Sequence, residues 1–350
     1  MQRRTLRATM SFTRRCLMGA TALVLFVAGP AHATTHDFYK GKTVRIVVGV
    51  SAGGIFDTYS RTIGRHLGKH IPGNPTIVVE NMTGAGGLVL ANHLYKVAKP
   101  DGLTVGNFNG ALLMGQILGR PGIEFDARKF EYIGVPAKQD TLCAFTKASG
   151  ITSFEKWKAS KVAIKVGGTA PGSATVDAPR LLMAVFGLPT QVITGYKGIA
   201  DVRLAMDGGE LAGACGNWDA LKLLWDKQIE SGDILIVLQA RQEPLPDLPK
   251  VPLALDLAKT EKERQLIQVG LQDPALLQLL YSFPPGIPRD RLQVLRKAFM
   301  ETLKAPDYAT DAQKSKLSVD PASGEDLEKT VERLFKLDPK LVAQLKEILK

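Results

Sequence analysis

Ser51, Gly53, Gly54 and Asp57 fall within one short stretch, Gly49-Val50-Ser51-Ala52-Gly53-Gly54-Ile55-Phe56-Asp57. Residue types so spaced can do two kinds of chemistry. Gly49 to Gly53 spells G-x-S-x-G, which sets a serine nucleophile on a sharp turn between strand and helix. That chemistry needs an acid and then a histidine further along, yet the last histidine is His93. No earlier strand builds a sheet under such a turn, so covalent catalysis by Ser51 is the weakest reading. The other chemistry is non-covalent. A glycine turn leading into a helix leaves the first helical N–H groups facing open space, where an anion or polar oxygen is favoured. Ser51 adds a hydroxyl donor or caps the turn. Asp57 can hold a ligand hydroxyl or ammonium, or serve the helix dipole, and its charge opposes direct contact with a carboxylate. A tight turn that binds nothing fits the same residues.

The elements around this stretch repeat. Residues 44–50 form a β-branched run with almost no alternation, as a strand buried on both faces of a parallel sheet reads. Phe56, Tyr59, Ile63 and Leu67 then recur at helical spacing. A second strand (76–80), a second glycine turn (Gly84-Ala85-Gly86-Gly87) and a second helix (88–96) follow, the turns 33 residues apart. Right-handed crossovers place both turns at the same carboxyl edge of one sheet. An anionic ligand end is therefore expected on the amides of Gly53-Gly54 and Gly86-Gly87, and a β-branched residue at Gly54 is expected to block it. Residues 103–108 read as a third strand with Asn107 and Asn109 at its end, and 112–118 as a helix.

After a connection through Pro121, Gly122 and Pro136 the pattern restarts with a short strand at 141–145. Residues 162–166 are a strand and 167–173 a polar glycine loop carrying Thr169, Gly172 and Ser173. A helix through 181–186, a strand at 191–196 and a helix at 199–206 come next. The strand at 211–215 runs into Gly216-Asn217-Trp218, and 234–238 is the last clear strand. Beyond the proline-rich passage 244–252 the chain reads as helical, with amphipathic spacing over 290–303 and 325–349. The fold class is α/β, in two blocks with a helical tail that must pack on one of them.

The 350 residues suffice for two domains. Arg3, Arg4, Arg7, Arg14 and Arg15, an apolar run at 17–28 and Ala31-His32-Ala33 make a secretory signal peptide of residues 1–33, cleaved after Ala33. Thr13-Arg14-Arg15-Cys16-Leu17 resembles a twin-arginine signal, so Sec and twin-arginine routes both stand, as do Met1 and Met10 as starts. The formal charge is +11, and without those five arginines 40 basic residues face 34 acidic ones. The bases are scattered and mostly lysine, which argues against nucleic acid. A mild positive field helps gather anions. Two cysteines remain, Cys143 and Cys215, both in apolar runs, so buried free thiols are expected, with a disulfide as the alternative. Trp218 reads as packing or as a ligand stack. His66 and His70 stand four apart without a third ligand, so neither metal nor cofactor is expected.

With a leader, two α/β blocks and glycine loops after their strands, the chain resembles the substrate-binding proteins of tripartite tricarboxylate transporters, the TctC or Bug-like periplasmic receptors. Five stretches carry the likeness: Ala52-Gly53-Gly54-Ile55-Phe56-Asp57; Val79-Glu80-Asn81 with Gly84-Ala85-Gly86-Gly87; Lys99-Pro100-Asp101-Gly102-Leu103-Thr104; Gly195-Tyr196-Lys197-Gly198; and Pro284-Pro285-Gly286-Ile287-Pro288. The resemblance implies a type II-like Venus flytrap: 36–140 plus 240–350 as lobe 1, 141–239 as lobe 2, and C-terminal helices on lobe 1. It implies a monomer without catalysis that delivers a small carboxylate to a permease of large and small subunits; a sensing receptor is the alternative partner. Ligand contacts by position are Ser51, Gly53, Gly54, Asp57, Gly86, Gly87, Asn107, Asn109, Thr169, Gly172, Ser173 and Asn217. The chain departs from the pattern at Val50 and Ser51, where a proline and an apolar residue are usual, at Gly168 and Val176, where serine and histidine are usual, and at Cys215-Gly216-Asn217-Trp218, where Phe-Asp-Asn is usual. These changes fall on the cleft side.

Overall fold

The computed structural model describes residues 38–350, so the expected signal peptide lies outside the described residues. Among the described residues eleven strands form two sheets. β1 (Thr43–Val48), β2 (Thr76–Asn81), β3 (Thr104–Asn109) and β4 (Glu131–Val135) belong to the first. β5 (Thr141–Thr146), β6 (Ile164–Gly167), β7 (Thr190–Ile193), β8 (Gly213–Asn217) and β9 (Ile234–Ala240) make the second. β10 (Leu279–Phe283) and β11 (Ala322–Ser323) return to the first, whose order is β11-β4-β10-β3-β1-β2. The second runs β7-β6-β8-β5-β9. The chain thus passes between sheets twice, after β4 and after β9.

β1 sits between β2 and β3, parallel to both, with Val48 level with Asn81 on one side and Asn107 on the other. Its β-branched run is explained by that place: Val44, Ile46, Val47 and Val48 are all buried. The helix Ile55–Leu67 turns Phe56, Tyr59, Ile63 and Leu67 into a core shared with Tyr281, Phe283 and Phe299. The helices Arg289–Lys304 and Pro306–Lys314 pack against it, and Gly324–Leu334 packs on β4. A second core passes between the sheets, from Phe108 and Phe130 to Phe145, Trp157 and Leu181. Helices Glu261–Ile267 and Pro339–Ile348 reach the second sheet's helix Ala174–Phe186, while Asp273–Leu277 reaches Ala111–Ile117. Burying a large apolar side chain in such a core contributes about 1.5–3 kcal/mol.

Several expectations are corrected. Residues 131–135, read as a connection, form β4. Residues 279–283, read as part of a helical region, form β10, antiparallel to β3 and β4 and buried throughout. The amphipathic stretch 325–349 is two helices, because Asp338 caps the second by accepting from Lys340 N and Pro339 opens it. Cys143 and Cys215 are not free thiols but a disulfide. They stand directly opposite on antiparallel β5 and β8, with Cα atoms 4.0 Å apart. The passage 244–252 is pinned by buried Gln239, which donates to the carbonyls of Leu248 and Val251 and accepts from Leu245 N.

Candidate ligand-binding site

The first glycine turn is held by its own helix. Gly53 takes φ +83°, a left-handed backbone in which glycine avoids strain, and its N–H donates to Asp57 Oδ2 at 2.8 Å. Arg61 Nε donates to the same oxygen at 2.9 Å, and Asn81 Nδ2 bridges Asp57 Oδ1 and the Val50 carbonyl. Burial pushes Asp57 up, but the hydrogen bonds from Arg61, Gly53 and Asn81 hold it below the usual carboxylate range. Asp57 therefore occupies the anion position itself. The Asp57 carboxylate and the Gly53 amide are thus bound to each other. Gly54 has an ordinary φ of −80°, and a Cβ there would meet only the Ser51 carbonyl at 3.6 Å, so the unusual backbone is at Gly53. Ser51, Gly53 and Gly54 are exposed.

The second turn has four successive residues with positive φ: Gly84, Ala85, Gly86 and Gly87. For Ala85, at +46°, this is a strained conformation imposed by its neighbours. Gly87 is buried because Gly49 crosses it: a Cβ on Gly49 would stand 3.0 Å from Gly87 Cα. Gly86 is exposed. Asn107 is fully buried, donating to the Leu280 carbonyl and accepting from Ser60, so its amide ties β3 to its neighbours. Asn109 is half-buried, and its Oδ1 accepts from Ala111 N.

The second sheet repeats the device of the first. Gly172, φ +91°, donates its N–H to Asp177 Oδ1 at 2.9 Å, and Asp177 lies in the first turn of the helix Ala174–Phe186. Thr169, Ser173 and Thr175 share hydroxyl hydrogen bonds of 2.8–3.1 Å. Asn217 precedes the helix Trp218–Ser231, and its buried Oδ1 has no hydrogen-bond partner among the described residues. An acceptor so placed suits a ligand hydroxyl or ammonium. Trp218 is core, packed with Val202, Leu221 and Trp225.

Between the sheets lies a pocket of about 40 Å³ whose lining includes Asn109, Thr141, Gly172, Ser173, Asp177 and Gln278. It unites three expected residues, Asn109, Gly172 and Ser173. Ser51, Gly53, Gly54, Asp57, Gly86, Gly87, Asn107, Thr169 and Asn217 do not line it. Its volume is well below the about 300–1,000 Å³ typical of small-molecule sites. Arg120, which sequence reasoning missed, also lines the pocket and donates from Nη2 to Asp177 Oδ2 at 3.3 Å. A second link joins the two sides at Tyr59, whose hydroxyl lies 3.2 Å from Asp219 Oδ2 and 2.9 Å from the Ser318 carbonyl.

A larger cavity of about 620 Å³ lies where the chain passes between sheets, lined by Lys138, Gln139, Asp140, Arg241, Gln272, Arg333 and others. Its lining counts Asp140, Glu243, Asp273, Asp320 and Asp326 against Lys138, Arg241 and Arg333, and buried Gln139 Nε2, Arg241 Nε and Gln272 Nε2 have no hydrogen-bond partner among the described residues. Burial pushes Asp140 up to about 6, against the pull of Arg241 3.2 Å away. Among the described residues no group of three His, Cys, Asp or Glu side chains could hold a metal, and His66 pairs with Asp307 and Asp311. No helix among them is long and apolar enough to cross a membrane.

No protein-family model matches the chain. A curated relative from Cupriavidus necator, the UPF0065 protein in gbd 5'region, is 24% identical over 305 residues, covering 84% of each chain. The periplasmic binding protein BugD shares 20% identity and a TM-score of 0.65 over 89% of this chain and 98% of its own. A TctC solute binding protein from Polaromonas gives 18% and 0.66 over 89% and 98%. Rpa4515 of R. palustris, solved with adipate, gives 20% and 0.65 over 87% and 97%. The chain resembles the TctC and Bug periplasmic binding proteins and has their two-lobed fold.

Proposed function

We propose that this chain is a periplasmic solute-binding protein that closes two lobes on a small carboxylate and delivers it to a tripartite tricarboxylate-type permease of large and small subunits. In this reading residues 1–33 are an export leader removed after Ala33. Lobe 1 comprises 36–140 and 240–350, lobe 2 comprises 141–239, and the protein carries out no catalysis. The observation that carries it is the pocket where Asn109, from the first sheet, faces the Gly172-Ser173 loop of the second, with the single cation Arg120 among its lining residues. The adipate held by the R. palustris neighbour supports the ligand class. The contacts assigned to the ligand are Asn109, Gly172 and Ser173, with Ser51, Gly54, Gly86, Thr169 and Asn217 joining from the loops around them.

A thermal-shift screen against di- and tricarboxylates, aromatic acids and amino acids tests it. A ligand at a hundred times its dissociation constant adds about 2.7 kcal/mol to the folded state. At least one dicarboxylate is expected to raise the midpoint. Stabilisation only by neutral or cationic solutes would overturn the ligand class.

A further inference from the structure

Of the described residues lining the pocket between the sheets, Arg120 is the only cation and Asp177 the only anion, and they are bound to each other. The pair is partly buried, with 27% of the Arg120 side chain and 16% of the Asp177 side chain exposed. It joins the two sides: Arg120 follows the helix Ala111–Ile117, whereas Asp177 belongs to the helix after β6. The guanidinium lies so close over Gly172 that a Cβ there would collide with Nη1. Asp177 gives Arg120 a single, long contact of 3.3 Å to one oxygen, while its other oxygen accepts from Gly172 N. A guanidinium can hold a carboxylate by two parallel hydrogen bonds, a stronger arrangement than this one. Lys346 lines an adjoining cavity with Arg120, which extends the positive field on that side.

We infer that Arg120 is exchanged between two carboxylates: it binds Asp177 while the site is empty, and a carboxylate of the ligand while it is loaded. The inference rests on the carboxylate reading above and deepens it by naming the charge that reads the ligand. Asp177 is then an internal competitor. It keeps the Gly172 hydrogen bond when Arg120 leaves, so the second loop holds its shape in both states. The competition lowers apparent affinity by the fraction of molecules whose Arg120 is already engaged.

Titration calorimetry with adipate, and with malate should adipate give no heat, on the natural protein, Arg120→Gln and Asp177→Asn tests this. Exchange predicts opposite signs. Arg120→Gln should weaken binding by at least about tenfold, since it removes the ligand's charged partner. Asp177→Asn should tighten it severalfold, because the asparagine can still accept from Gly172 but no longer competes as an anion. Arg120→Lys, which keeps charge without the fork, should fall between, and decides the matter if Arg120→Gln does not fold. Arg120→Gln and Asp177→Asn shifting affinity in the same direction would show a latch that never touches the ligand and would overturn the exchange. No change in any variant would place the carboxylate elsewhere and overturn it too. Failure of the natural protein to bind either probe, or any other dicarboxylate of the screen, would instead remove the carboxylate reading itself.

Discussion

Gly53 and Gly54 are adjacent but not equivalent. Gly53 carries the left-handed backbone and Gly54 does not. Gly53→Val should therefore cost about 1–3 kcal/mol of stability, the scale of a forced left-handed residue, whereas Gly54→Val should stay within about 0.5 kcal/mol. Urea unfolding of both variants checks this, and equal losses would contradict it. The sequence marks that a glycine turn is here, but only φ angles tell which glycine needs to be one. Asp57 likewise was visible as an acid in a first helical turn, while its closure onto Gly53, Arg61 and Asn81 was not. Asp57→Ala removes a buried acceptor shared by Gly53 N, Arg61 and Asn81 and should cost about 1–3 kcal/mol at neutral pH. The folded pKa of Asp57 is depressed, so its contribution is complete above the unfolded value near pH 4 and drains as pH falls through the lower folded value. The gap between the natural protein and Asp57→Ala should narrow in acid; a gap that widens would contradict the network. Arg120 was illegible because nothing local marks it. Its partner is 57 positions away on another element.

At the scale of elements, β1 and β2 were legible because a strand buried on both faces leaves a continuous apolar run, bounded here by glycine turns. β10 carries a similar run, Leu279-Leu280-Tyr281-Ser282-Phe283, yet five apolar-rich residues among helices cannot be told from a helix turn by periodicity. The disulfide stood only as the alternative for a related reason: strand register, not composition, sets Cys143 opposite Cys215. It closes a loop of 72 residues, for which chain entropy gives about 4 kcal/mol of stabilisation. Adding reductant, or making the paired Cys143→Ala and Cys215→Ala change, should lower the unfolding midpoint, and an unchanged midpoint would show that the bond contributes nothing. In the segment between β4 and β5, Asp140 is raised to about 6, chiefly by burial. A raised folded pKa means that its favourable contribution is present below the unfolded value near pH 4 and lost as pH rises through about 6. Asp140→Asn should therefore gain on the natural protein between pH 4 and 7. The facing charges are Arg241, Asp320, Asp219 and Lys138, all retained in that variant. A stability difference flat across this range would show that Asp140 ionises as it does in the unfolded chain.

For the whole molecule, two rounds of strand, glycine turn and helix were enough to foresee two sheets in one chain. How they meet was less legible. The shared core of Phe108, Phe130, Phe145 and Trp157, and the return of β10 and β11 to the first sheet, depend on contacts far apart in sequence. The same distance hides the pocket, since Asn109 and Ser173 line one space although the first crossing between sheets lies between them in the chain. In the proposed function this space recognises the negative charge of a small carboxylate. Titration calorimetry of the dicarboxylate that most raises the unfolding midpoint, set against its uncharged diamide of the same length, isolates that charge. Saturable binding of one dicarboxylate per chain is expected, with no measurable heat from the diamide at the same concentrations, if charge recognition holds. Equal binding of the two compounds, or no saturable binding of any dicarboxylate, would contradict it.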